Sequence, residues 1–185
     1  LERKRVDPGF TVPDGSVPAD AWDGIFEKMA SLEDTRDFDA IDLIYILSDY
    51  RNDPTLAPGL VEKVEQAMLG FKFWYTDPTP DGIIDDTYYW TENHQILFFA
   101  IEYLMGQFYP DRAMGTDGGT GSEHRLRGRA HLLRWIELRA RFGFSEWHSN
   151  VYYQEDVNAL LTLVELADEE EIRSKAAMVL DLIFF

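Results

Sequence analysis

From Phe38 onward, apolar residues recur at helical spacing along most of the chain. Phe38, Ile41, Ile44, Tyr45 and Ile46 predict a first long helix to about Tyr50, which Asn52-Asp53-Pro54 ends. Leu60, Val61, Val64, Met68 and Phe71 predict a second, from about Pro58 to Gly70. The segment Thr76-Asp77-Pro78-Thr79-Pro80-Asp81-Gly82 is loop chemistry. A third helix, from about Glu92 to Tyr109, is apolar nearly all round, which marks a helix enclosed by its neighbours. After a glycine-rich loop over 110–122, an amphipathic fourth helix covers about Glu123 to Arg141. A fifth spans about Asn150 to Ala167 and a sixth about Glu169 to Phe185. Residues 1–37 read as a proline-bearing extended lead-in, with one short helix at Ala19–Met29 and a basic start, Arg3-Lys4-Arg5, too short for a binding patch.

No period-2 run persists, so strands are not expected. Successive helix pairs share no repeat of fixed period, which argues against a short-repeat solenoid. The predicted fold class is therefore all-α, with antiparallel helical hairpins over residues 38–185.

Composition narrows the function classes. With 185 residues, 45% hydrophobic and 28% charged, the chain has enough length and apolar content for a sizeable core. A net charge of −17 disfavours nucleic acid and anionic membrane surfaces as partners, since both require basic faces. With no cysteine there are neither disulfides nor thiolate zinc sites. The first residue is not Met and the last ones, Leu182 to Phe185, fall inside an apolar helical pattern. The expectation is a piece of a longer protein, with the remainder of that chain as a partner.

Chemistry-bearing residues concentrate in two stretches: Tyr88-Tyr89-Trp90-Thr91-Glu92-Asn93-His94-Gln95, and Ser145-Glu146-Trp147-His148-Ser149-Asn150-Val151-Tyr152-Tyr153. Each stands where a helix is predicted to begin. In an up–down arrangement the loops after the second and fourth helices emerge at the same end, so both stretches should share one rim, while loops 51–56 and 110–122 lie at the other.

Paired helices with aromatic and polar residues on one rim resemble the (α/α) toroid enzymes, the six-hairpin glycosidases and the polysaccharide lyases built on incomplete toroids. Residues 38–185 would supply about three hairpins of such a toroid. The resemblance implies a carbohydrate substrate and, in the lyases, β-elimination from a uronate. There an Asn or Gln binds the uronate carboxylate, a His or Tyr removes the C5 proton, and a Tyr protonates the leaving oxygen. Asn93, His94 and Tyr152 or Tyr153 match by residue type. Tyr89, Trp90, Trp147, His148 and Asn150 are the expected substrate contacts.

Hydrolysis is the competing reaction. It needs two carboxyl groups, ~5–5.5 Å apart for retention or ~6.5–9.5 Å for inversion, and Glu92 and Glu146 are the natural pair, with Asp85 and Asp86 behind. A non-catalytic glycan-binding or scaffold module is the alternative outside the enzymes. A site at His94, His148 and Glu92 or Glu146 lacks any metal-binding string, so neither a metal nor a cofactor is expected. The loop Asp117-Gly118-Gly119-Thr120-Gly121 reads as flexible, and the fourth helix's arginines as a solvated face.

Overall fold

The computed structural model describes residues 7 and 9–185; the basic Arg3-Lys4-Arg5 and Pro8 lie outside them. After a 3-10 turn at Ala19–Trp22 come α1 (Asp23–Ala30), α2 (Arg36–Ser48), α3 (Leu60–Leu69) and α4 (Glu92–Phe108). A two-stranded hairpin, β1 (Ala113–Met114) with β2 (Gly119–Thr120), leads into α5 (Gly121–Phe142), α6 (Tyr153–Leu166) and α7 (Glu170–Phe184). The predicted helices are all present. The hairpin was not foreseen, because strands of two residues are too short to write a period-2 pattern.

α4 is the axis of the molecule. Its apolar circumference is buried against α2, α5 and α6, while α7 covers α5 and α6. The α4–α5 approach is close because glycine faces it. A Cβ placed on Gly128 would lie 2.8 Å from the Tyr103 backbone nitrogen. α5 begins with a capping box, in which the Thr120 hydroxyl and the Glu123 carboxylate each accept from the other's backbone N–H. Its arginines are not simply a solvated face. Arg125 and Arg129 reach across to Glu169 at the start of α7, and Arg139 is drawn inward to Glu92.

The long segment 70–91 carries no regular structure, yet two buried cations hold it. Arg36 donates to Thr87 Oγ1 (3.0 Å), to the Lys72 carbonyl (2.8 Å) and to the Tyr89 hydroxyl (2.9 Å), and its guanidinium lies 4.2 Å from the Phe71 ring centre. Lys72 donates to Asp85 (2.7 Å) and Thr79 (2.8 Å). The segment therefore arrives at α4 in a fixed register.

At the far end, Arg51 donates to the Tyr109 hydroxyl at 2.8 Å, which brings the loop after α2 to the end of α4, as helix parity requires. Parity is incomplete elsewhere. α3 is short, so segment 70–91 starts partway up the molecule, and its Asp77 shares Arg127 with Asp117 of the hairpin. The hairpin is pinned to the core at that point rather than loose, a correction to the flexible loop read from its glycines.

Candidate functional site at the rim

The two stretches meet. Thr91 is the N-cap residue of α4, and Glu92, Asn93 and His94 form its first turn. The Glu92 carboxylate crosses to the second stretch, where Oε2 accepts from the Ser145 backbone N–H (2.7 Å) and from its hydroxyl (2.6 Å). The same oxygen pairs with Arg139, and the Glu92 carbonyl accepts from the Trp135 indole at 3.0 Å. This corrects the expected hydrolytic pair. Glu92 is buried as a clamped anion that joins the two stretches, so Glu146 has lost its natural partner.

Around the clamp, buried polar atoms without hydrogen-bond partners accumulate. They are Thr91 Oγ1, Glu92 Oε1, both amide atoms of Asn93, Arg139 Nε, Glu146 Oε2 and both carboxyl oxygens of Asp156. Asn93 is 1% exposed and Asp156 is fully enclosed. Native interiors pair nearly all such atoms, so their concentration at one joint makes it the candidate site. Asp156, in the first turn of α6, has its pKa pushed up to about 7, first by burial and then by Glu146, against the pull of Arg139. Neither Asp156 nor Arg139 was among the expected residues.

His94 Nδ1 lies 2.7 Å from Asp37 Oδ2, and Nε2 points toward Asp34, 3.7 Å away at the surface. Asp37 is wholly buried, and burial raises its pKa against the opposing pull of its bond to His94. Glu155 is also raised, first by burial, with the Asp37 and Asp42 charges adding. Asp34 accepts from the Tyr88 backbone N–H at 3.2 Å, which ties the His94–Asp37 pair to the aromatic stretch.

The aromatics divide by the extended backbone over 85–90, where side chains alternate between faces. Tyr88 and Trp90 point outward, and Thr87 and Tyr89 inward. Tyr89, expected as a sugar platform, is only 1% exposed. Its hydroxyl donates to Asp85 at 3.0 Å and its pKa is pushed up to about 12, chiefly by burial. The platform at this stretch is instead Trp90, 62% exposed, with Tyr75 and Tyr88 edge-on at 6.1 and 6.4 Å. On the second stretch Trp147 (60%) and Tyr152 are exposed, as are His148 and Asn150. Tyr153 is half-buried against Phe144, and its hydroxyl accepts from the His148 backbone N–H at 3.1 Å.

Among the described residues, the non-glycine positions with positive φ are Leu32 (55°), Thr35 (62°) and His148 (58°). The first two flank Asp34 and the third lies in the second stretch, so unfavourable backbone collects at this rim. Also among the described residues, no group of three or more His, Asp or Glu side chains is arranged to hold a metal ion, and no helix is long and apolar enough to cross a membrane.

The fold defines a mostly α-helical protein. No family model, curated protein or solved structure matches the chain.

Proposed function

We propose that this chain is a carbohydrate-active domain, part of an (α/α) toroid, that lays a glycan across the rim and cleaves it by β-elimination next to a uronate. One observation carries the reading: the unpartnered buried polar groups gather where the two stretches join, and exposed tryptophans stand on both. Sugar rings stack on such aromatic faces, and their hydroxyls both donate and accept hydrogen bonds.

In this reading His94 is the base. Asp37 holds the Nδ1 proton, which fixes the tautomer and leaves the Nε2 lone pair to take the C5 proton. The released electron pair forms the C4–C5 double bond as the C4–oxygen bond breaks, and Tyr152 returns a proton to the leaving oxygen. The exposed amide of Asn150 receives the uronate carboxylate, and the buried Asn93 amide joins it only as the first turn of α4 opens.

Hydrolysis is the second reading, and Asp156 favours it. A carboxylic acid still protonated near neutral pH, coupled to Glu146, has the character of a general acid. The acids at this rim, Asp34, Glu146 and Glu155, also suit a neutral glycan better than an anionic one.

The test is turnover on a panel of uronate-containing and neutral polysaccharides. β-Elimination yields an ultraviolet-absorbing unsaturated product that His94→Ala abolishes. Release of reducing ends without that absorbance establishes hydrolysis in its place. Binding with no turnover of either kind refutes both enzymatic readings and leaves a glycan-binding module.

A further inference from the structure

A second histidine, His124 in the first turns of α5, sits away from the rim and has a different environment. It is almost fully buried, and both ring nitrogens face oxygen. Nδ1 lies 2.8 Å from Glu102 Oε1 on α4, and Nε2 lies 3.0 Å from Asp117 Oδ1 and 3.1 Å from the Met114 carbonyl, both on the hairpin. A neutral imidazole carries one N–H and cannot donate in both directions. The imidazolium can, and with it every contact is a charge-assisted or backbone hydrogen bond.

The hairpin is seated on this ring. A Cβ at Gly115 would come within 2.7 Å of His124 Cε1, and the Gly115 N–H donates to the Leu69 carbonyl at 2.8 Å. Arg127, one turn further along α5, extends the network. It donates to Glu102 (2.6 Å), to Asp117 (3.1 Å) and through both terminal nitrogens to Asp77 (3.0 and 2.9 Å). Asp77 in turn accepts from the Trp74 backbone N–H at 3.0 Å, at the turn that carries Trp74 and Tyr75 toward the rim.

The charged and titratable groups around the ring are Glu102 from α4, Asp117 from the hairpin, Asp77 from segment 70–91, and Glu123, Arg127 and His131 from α5 itself. Arg127 Nη2 stands 3.3 Å from His124 Nδ1. It can donate to that nitrogen once the proton is gone, so the deprotonated ring has a second arrangement available.

We propose that His124, protonated between Glu102 and Asp117, is a proton-operated latch: its deprotonation frees the 113–120 hairpin and, through Arg127 and Asp77, loosens the Trp74–Tyr75 turn behind the rim. The direction of the titration agrees. Burial lowers the His124 pKa, but the hydrogen bond and charge of Glu102, with the Asp117 charge, outweigh it and leave the pKa raised. A raised histidine stabilises the fold fully below its unfolded pKa, and that contribution is lost as pH rises through the folded value.

The experiment is a nitrogen-15 NMR titration of the full chain from about pH 5 to about pH 9, combined with amide exchange. The latch predicts that His124 titrates above the ordinary histidine value. Along the same curve, the Gly115 and Gly119 amides should lose about tenfold in protection relative to amides in the middle of α4, and the Trp74 indole resonance should shift. Asp117→Asn should move that curve to lower pH, which keeps the test open where His124→Gln fails to fold. A His124 ring that titrates at or below the ordinary histidine value, or hairpin protection that ignores its titration, overturns the latch.

Discussion

Among the described residues the molecule holds two close histidine–carboxylate pairs, and they differ most at the second ring nitrogen. His94 and His124 each place Nδ1 within 2.8 Å of a buried acid, Asp37 and Glu102 respectively. At His124 the other nitrogen is closed off by Asp117 and the Met114 carbonyl. At His94 it meets a carboxylate only at 3.7 Å, beyond hydrogen-bonding distance and at the surface. The surroundings follow the same division. Both His124 ring nitrogens and the Arg127 guanidinium are partnered, although His131 Nδ1 and Thr116 Oγ1 nearby are not, whereas the rim beyond His94 leaves both amide atoms of Asn93, Glu146 Oε2 and both carboxyl oxygens of Asp156 unpartnered. The two imidazole–carboxylate pairs are thus set apart by what the second nitrogen can reach.

This contrast can be broken in several ways. The largest effect is expected at the clamp that holds the rim together. Glu92→Ala removes the nearest anion from the half-buried Arg139 and releases Ser145, and should lower stability by about 2–4 kcal/mol, read from the denaturant midpoint. A variant of unchanged stability would mean that Glu92 does not join the stretches.

Next comes proton chemistry at the rim. Asp156 keeps a proton to about pH 7 when folded, whereas an unfolded aspartate releases it near ~3.9. The folded state therefore binds more protons across that interval, and its stability should fall as pH rises from about 4 to about 7. Asp156→Asn should remove this fall and be more stable than the parent above pH 7. Parallel stability–pH curves for the two proteins would contradict the account.

A smaller loss is expected along the axis. Gly128→Ala drives a methyl group into the Tyr103 backbone and should cost about 1–3 kcal/mol in chemical denaturation, with the rim chemistry intact. Smallest of all is the aromatic ledge. Trp90→Ala should weaken glycan binding by roughly threefold to tenfold in calorimetry, while Tyr89→Phe, a core position, should leave binding unchanged and affect stability alone.

Much of this was legible from residue patterns. Helical periodicity located every long helix, and helix parity brought Glu92 and Ser145 to one rim although 53 positions separate them. What escaped depends on which way a side chain faces and on partners distant in sequence. Tyr89 and Trp90 look equivalent as residue types, yet the extended backbone turns one into the core and the other to solvent. The sequence Asp-Asp-Thr-Tyr-Tyr-Trp over 85–90 does not itself alternate, so nothing local distinguished the two. Arg36 and Asp37 fall in the segment read as lead-in, just before the first long helix, which in fact begins at Arg36. Their roles come from His94 and Tyr89, more than 50 positions away. Asp156 gave no local sign, because its raised pKa arises from the way α6 is enclosed by the clamp and Glu146.

In the proposed function the joint between the two stretches receives a sugar. Its most direct test is a nitrogen-15 NMR titration with oligosaccharides that follows the Asn93 side-chain amide together with the Trp90 and Trp147 indoles. All three resonances should shift along one saturable curve. Indole shifts with an unmoved Asn93 amide, or shifts confined to another part of the surface, would contradict it.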